Sequence, residues 1–190
     1  MRVISGELGS RRIPFNNKKF GNARVTSDFV KEAVFGSLGP DLTGSRFLDL
    51  FAGSGQMGLE AVSRGGTAWL NDKDRKRIAF VEGLASDWAL TDRMTLSSLS
   101  ALKLISQLAA SGDTFDIVYI DPPYDAVVGD GSSLSEACLS ACADASILGE
   151  SARLFVQHGK RTELPASLRR LERDKQKRYG DSLLSSYHLS

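Results

Sequence analysis

Apolar positions along this chain follow two alternating rhythms. In TSDFVKEAVFGSLG, the spacing places Phe29, Val30, Ala33, Val34 and Leu38 on one helical stripe. Thr26, Ser27 or Asp28 can cap its start, and Gly39-Pro40 ends it. From there strands and helices alternate. SRFLDLF predicts a strand, GQMGLEAVSR a helix, TAWLN a strand, and Asp74 to Trp88 a helix with Ile78, Val81, Leu84, Ala85 and Trp88 inward. RMTLS predicts a third strand, ALKLISQLAA a helix, FDIVYI a fourth strand, SSLSEACLSACADA a helix and ARLFVQ a fifth strand. Past Pro165 the helical rhythm stops, and RRLERDKQKRY with SLLSSYHL predicts two closing antiparallel strands.

Strands alternating with helices require right-handed crossovers and a mostly parallel sheet covered on both faces. The prediction is therefore a doubly wound α/β domain with a seven-stranded sheet that ends in an antiparallel hairpin. Residues 26–190 form this domain. Residues 1–25 precede it as a short extension in which Gly6 and Gly9 can turn a β-hairpin.

Composition narrows the class. The chain has 190 residues, 42% hydrophobic and 25% charged, which excludes a disordered tail and suits a packed domain. The opening MRVISGELGSRRI lacks the apolar stretch of a signal peptide, and no run approaches a membrane span, so the expectation is a cytoplasmic protein without membrane contact. Cys138 and Cys142 have no ligand pattern beside them, so helix packing is expected and a metal site is not.

The net charge of +1 conceals an uneven spread: residues 1–40 carry +4, residues 41–159 carry −7 and residues 160–190 carry +4. Basic ends suit a polyanion, and an acidic middle suits a cationic ligand. Side chains able to reach phosphate are Arg2, Arg11, Arg12, Lys18, Lys19 and Arg24 at one end. At the other are Arg169, Arg170, Arg173, Lys175, Lys177 and Arg178.

Two loops carry the chemistry. The first strand runs into Asp49-Leu50-Phe51-Ala52-Gly53-Ser54-Gly55-Gln56-Met57-Gly58, where Gly53, Gly55 and Gly58 satisfy G-x-G-x-x-G between strand and helix. Asp72, 19 residues after Gly53, ends the second strand, where a carboxylate can accept both hydroxyls of a ribose. A nicotinamide cofactor and S-adenosylmethionine both place a nucleoside on such a loop. Asp49 favours the second, because a carboxylate there repels a pyrophosphate and attracts an ammonium and a sulfonium.

The fourth strand ends in Asp121-Pro122-Pro123-Tyr124. Gly53 and Asp121 are 68 residues apart. That is three strand-helix units, so both loops are expected at one sheet edge, facing one pocket. The prolines fix the backbone and aim the Asp121 carboxylate and the Pro122 carbonyl as two acceptors, while Tyr124 offers a face for a planar base. Two acceptors beside an aromatic plane describe a receptor for an exocyclic amino group, whose lone pair they can turn towards a methyl donor. No nucleophilic His, Cys or Ser is needed, and His158 and His188 read as structural or surface residues.

With these motifs in place, the chain resembles the RsmD family, bacterial methyltransferases that modify the N2 amine of a guanine in 16S ribosomal RNA. The likeness runs through MRVISGELGSRRI, ARVTSDFVKEAVFGSL, DLFAGSGQMGLEAVSRG, DPPY and RYGDSLLSSY. It implies a Rossmann-like class I fold dependent on S-adenosylmethionine. Asp49, Phe51, Ala52, Gly53, Ser54 and Gly55 would line its methionine side, Asp72 with Lys73 would hold the ribose, and Ser98 and Leu99 would lie at the adenine. Asp121, Pro122, Pro123 and Tyr124 would present the target amine. Arg2, Arg11, Arg12, Arg24, Thr26, Arg178 and Tyr179 are the implied RNA contacts, with Arg24, Thr26 and Ser27 also placed to close the cofactor pocket. The implied target is guanine 966, within an assembled or partly assembled small subunit; no long apolar edge or heptad pattern asks for a partner, so a monomer is expected.

Three positions depart from the family. Asp72 stands for a longer glutamate and Val25 for a common proline. Ser97-Ser98-Leu99 lacks the usual acidic or amide grip on the adenine amine, so backbone or hydroxyl contacts are expected there. Rival readings are an adenine-N6 methyltransferase on DNA or RNA, a protein-glutamine methyltransferase, a nicotinamide oxidoreductase and a non-catalytic RNA-binding module. The last explains the basic ends but not an acidic centre that holds both loops.

Overall fold

The structure, a computed structural model, describes residues 1–20 and 26–190. The backbone forms two compact units, Met1–Leu99 and Ser100–Ser190.

In the first unit, α1 (Asp28–Leu38) precedes β1 (Arg46–Asp49), α2 (Gln56–Ser63), β2 (Thr67–Asn71), α3 (Arg75–Asp87) and β3 (Met94–Ser97). The three strands are parallel in the order β3-β2-β1. Of the three candidate caps of α1, Ser27 serves: its side chain accepts from the Val30 N–H at 3.3 Å. The stripe of α1 is corrected in one place. Val30, Val34 and Phe35 are buried, and Phe35 stacks on Phe47, whereas Phe29 is 74% exposed. One residue turns the helix by about 100°, enough to carry Phe29 off the face that Val30 and Val34 share.

The first thirteen residues fold against α2. Glu60, fully buried, accepts from the N–H groups of Ile4 at 2.7 Å and Ser5 at 3.1 Å. Ser63 Oγ accepts from Leu8 N–H and donates to the Ser5 carbonyl. At Gly6, with φ of +83°, a Cβ would fall 1.9 Å from the Ser63 carbonyl oxygen, so only glycine fits. The expected hairpin is short: residues 1–3 and 10–13 pair antiparallel about the Arg2–Arg12 bridge, with Val3 N–H donating to Arg11 O, Ser10 N–H to Val3 O and Ile13 N–H to Met1 O, and a turn in which Gly9 N–H donates to Gly6 O closes it. Between the two arms, the N–H groups of Ile4, Ser5, Glu7 and Leu8 are taken by Glu60 and Ser63 of α2. Further on, Phe15 and Phe20 cluster with Phe80 of α3.

The second unit contains α4 (Ala101–Ser111), β4 (Phe115–Ile120), α5 (Leu134–Asp144), β5 (Leu148–Gly159), β6 (Ser167–Leu168), β7 (Leu171–Tyr179) and β8 (Ser182–Leu189). Their order is β4-β5-β8-β7-β6, with β4 and β5 parallel and the remainder antiparallel. The described residues thus hold eight strands rather than seven. The added one, β6, is two residues long and pairs with the start of β7 through a turn at Arg169, φ +56°. Two residues are too few to show an alternating pattern. Cys138 and Cys142 are fully buried in α5, and burial pushes the Cys138 thiol up to about 12, so both act as small apolar groups. Among the described residues, no helix is long and apolar enough to cross a membrane.

Candidate active site

In the first unit the site is built at the carboxyl ends of β1, β2 and β3. Asp49, buried at the end of β1, accepts from the Phe51 N–H at 3.1 Å and so bends the chain out of the strand. Ala52 N–H donates to the Asn71 carbonyl and Gly55 N–H to the Ala52 carbonyl, which closes a tight loop. Gly53 and Gly55 both have positive φ, +55° and +77°. The third glycine works through space: a Cβ at Gly58 would lie 2.6 Å from the Leu70 side chain, so α2 packs directly on β2. At Gly53 an added Cβ would come no nearer than 3.9 Å to another atom, the Phe51 carbonyl oxygen, which leaves the loop backbone open to a ligand. Ala52 and Ser54 are buried in this loop and Phe51 is half-buried.

Asp72 ties the loop to the next strand. One carboxylate oxygen accepts from Gly53 N–H at 3.0 Å and from Arg77 at 3.3 Å, and the other accepts from Asp74 N–H at 2.9 Å. Arg77 also donates to the Phe20 carbonyl, linking this carboxylate to the phenylalanine cluster. Lys73 is exposed. Asn71 is a residue that the sequence reading missed. Its amide donates to the carbonyls of Leu50 and Leu99 and accepts from Leu99 N–H and Ser97 Oγ, each at 3.0–3.1 Å. All four hydrogen-bonding positions of the amide are used, and the ends of β1, β2 and β3 are held together by them.

That network bears on the contacts expected for an adenine. Leu99 commits both its backbone groups to Asn71, and Ser97 Oγ also accepts from Trp69 Nε1. The half-buried Ser98 is left with its hydroxyl on a long 3.5 Å contact to the Lys73 carbonyl. Of the three residues, Ser98 is the one whose side chain can turn to a ligand.

In the second unit, Asp121-Pro122-Pro123-Tyr124 follows β4 directly. Pro122 is buried, Pro123 is exposed, and Asp121 and Tyr124 are half-buried. Tyr124 Oη accepts from Gln157 Nε2 at 2.8 Å. Gln157, on β5, is a second residue missed from sequence; there it reads as the polar end of an apolar strand.

The basic residues are divided between the units. Arg2, Arg11 and Arg12 are exposed on the N-terminal stretch, Arg2 and Arg12 side by side in their bridge, and Arg11 lies 4.6 Å over the Trp88 ring. Thr26 is buried, and its carbonyl accepts from Gln56, the first residue of α2, which places it beside the glycine loop rather than on the surface. Arg178 is exposed near the end of β7, and Tyr179 beside it stacks under Lys177 at 5.4 Å. Arg24, Val25 and the side chain of Lys19 lie outside the described residues.

Known proteins resemble this chain along its whole length. The family described as "Conserved hypothetical protein 95" matches residues 1–188. "Putative rRNA methyltransferase YlbH" of Bacillus subtilis is 32% identical over 181 residues, 95% of this chain and 94% of its own length. "Ribosomal RNA small subunit methyltransferase D" of Escherichia coli K12 is 31% identical over 167 residues, 87% of this chain and 78% of its own. A solved structure, "Putative methyltransferase yhhF from Escherichia coli", superposes with a TM-score of 0.83 at 25% identity, covering 100% of this chain and 98% of that one.

Proposed function

The chain belongs to the family described as conserved hypothetical protein 95, and from that premise we propose that it is an RsmD-type enzyme. In this reading it transfers the methyl group of S-adenosylmethionine to the exocyclic N2 amine of a guanine in small-subunit ribosomal RNA, with guanine 966 as the target. The observation that carries the reading is the rigid Asp121-Pro122-Pro123-Tyr124 turn with its tethered tyrosine, in a chain whose relatives are named as ribosomal RNA methyltransferases.

The first unit's residues fit the cofactor. Asp49 supplies negative charge for an ammonium and a sulfonium, the open backbone at Gly53 admits the methionine side, Asp72 takes the ribose and Ser98 meets the adenine. When bound, S-adenosylmethionine supplies a methyl group already activated by a cationic sulfur. The protein's work is then positional. Asp121 and the Pro122 carbonyl accept the two amine hydrogens, Tyr124 stacks the base, and the nitrogen lone pair is turned out of conjugation. Asp49, the Gly53 backbone, Asp72 and Ser98 would hold the cofactor so that its methyl passes to the amine nitrogen with the sulfur keeping the bonding electrons, and the amine's surplus proton would leave to solvent.

Arg2, Arg11, Arg12, Arg24, Arg178 and Tyr179 provide the RNA surface, and Thr26 helps close the cofactor pocket. Each phosphate neutralised steepens the salt dependence by roughly 0.7 in log–log slope on single strands. The target guanine must leave its stack, which costs a few kcal/mol in a duplex and less in a loop, so a loop guanine is favoured. A cytoplasmic monomer acting on the small subunit or its precursor completes the reading.

The test is nucleoside analysis. Radiolabelled methyl from S-adenosylmethionine should enter small-subunit RNA or particles from a strain lacking the enzyme, and digestion should yield N2-methylguanosine. Recovery of N6-methyladenosine would transfer the assignment to the adenine rival.

A further inference from the structure

Successive side chains of β5 point to opposite faces, so Gln157 and Gly159 share one face and His158 takes the other. The register places Gln157 opposite Leu184, His158 opposite Leu183 and Gly159 opposite Ser182 on β8. On its own face, His158 is buried and bonds Ser185 Oγ at 2.9 Å, which fixes β5 to the sheet. Gln157 and Gly159 both turn to Tyr124.

They hold it at two ends. Gln157 is 4% exposed; its Nε2 donates to Tyr124 Oη at 2.8 Å and its Oε1 accepts from the Tyr119 hydroxyl at 2.7 Å. Tyr119 is a 1% exposed phenol within β4, so the chain of bonds ends on a side chain locked in the core. At the other end, a Cβ added to Gly159 would lie 3.2 Å from Tyr124 Cβ and 3.4 Å from Cγ and Cδ2, so the root of the ring rests on bare backbone. A ring held at its hydroxyl and at its root keeps its plane before any base arrives.

We infer that Gln157 is a positioning residue for methyl transfer: through its amide, seated on Tyr119, it holds Tyr124 in the plane on which the amine-bearing base stacks, with Gly159 as the floor. The inference rests on the methyltransferase reading for its effect on rate, while the tether itself is a property of the second unit. A glutamine suits the post because one amide can serve two phenols at once. Glutamate can accept from both, and leucine can bond neither.

The experiment combines single-turnover methyl transfer, calorimetric cofactor binding and 13C relaxation of labelled tyrosine rings in the full chain. Gln157→Leu should slow transfer by roughly tenfold to a hundredfold, the scale of a small misalignment of reacting groups. Cofactor affinity should stay within about twofold, and the Tyr124 ring should change from ordered to averaged. Tyr124→Phe should slow transfer similarly, and the double variant should be no slower than the slower single one, as members of one chain of contacts require. Gln157→Glu should recover most of the rate at neutral pH and add an acid-side inflection to the pH profile that the unaltered protein lacks.

An ordered Tyr124 ring in Gln157→Leu overturns the tether. So does a rate at the unaltered level despite an averaged ring, or losses that simply add in the double variant. If Gln157→Leu does not fold, Gly159→Ala disturbs the same ring from its root, and unchanged transfer there is equally fatal. Should the unaltered protein methylate no RNA, the methyltransferase reading falls, and the ring measurement still decides whether Gln157 orders Tyr124.

Discussion

The glycine loop and the Asp121–Tyr124 turn are both rigid, but they are held by different means. The loop is held through its own peptide groups: Asp49, Asp72 and Asn71 direct buried acceptors and donors onto main-chain atoms of Phe51, Gly53, Asp74, Leu50 and Leu99. The turn starts from prolines, which have no N–H to give, so its aromatic member is steadied by a side chain from another strand. Bonds to buried peptide groups serve the fold and the site together. The bond to the half-buried phenol of Tyr124 serves the site more than the fold, although the same amide also takes the buried Tyr119 hydroxyl. Damage to the first region should therefore appear as lost stability, and damage to the second as lost rate.

The largest effect should come from the turn. In the proposed mechanism Asp121→Ala removes one of two acceptors for the reacting amine, and methyl transfer should fall on the order of 1,000-fold, as losses of single transition-state hydrogen bonds do. Cofactor binding, measured by calorimetry, should persist. An enzyme that turns over normally without this carboxylate would strip the turn of its chemical role and break the comparison.

Next comes the amide of the loop. Asn71→Leu leaves the peptide groups of Leu50 and Leu99 without their partners in a buried place, and should cost about 2–4 kcal/mol of stability. Urea unfolding measures it as a lower midpoint at constant slope. Gln157→Leu, by the same measurement, should cost less, because it strands one buried hydroxyl, that of Tyr119, where Asn71→Leu strands peptide groups of two residues. Equal losses of stability from the two amides would erase the distinction.

How much of this was legible follows the same line. The glycine loop, the end-of-strand Asp72 and the DPPY turn were readable because each is a contiguous motif in which residues act on near neighbours or at a strand-helix repeat. Twelve elements, five helices and seven strands, were readable from their periodicity, whereas β6 is too short to have one. Asn71 and Gln157 were not readable. Their partners lie 21 to 38 residues away, and a polar residue closing an apolar strand looks the same whether it meets solvent or joins two loops. Phe29 failed for a related reason: a stripe drawn from sequence has no outer limit until a neighbour fixes it, and Phe35 faces Phe47 where Phe29 faces water.

The smallest effect separates the two regions by pH. Both histidines, His158 and His188, lie in the second unit, and His158 is buried behind the strand that seats Tyr124. Its Nδ1 faces the Gly159 carbonyl, which can only accept, so Nδ1 carries the hydrogen and Nε2 accepts from Ser185, whose oxygen in turn accepts from Gln176. Burial, with a smaller push from Arg173, holds the imidazole below its ordinary 6.5, against opposing bonds to Gly159 and Thr162. The unfolded chain therefore takes up a proton as pH falls through 6.5 while the folded protein resists, so this residue's contribution, present above 6.5, is lost on acidification until the folded imidazole itself protonates. His158→Gln can keep a bond to Ser185 without titrating. Urea unfolding at pH 8 and pH 5.5 should show a larger acid loss in the unaltered protein than in the variant, by less than the Asn71→Leu effect. Carboxylates common to both proteins cancel in that difference, so equal losses would mean that acid reaches the seat of Tyr124 by some route other than His158.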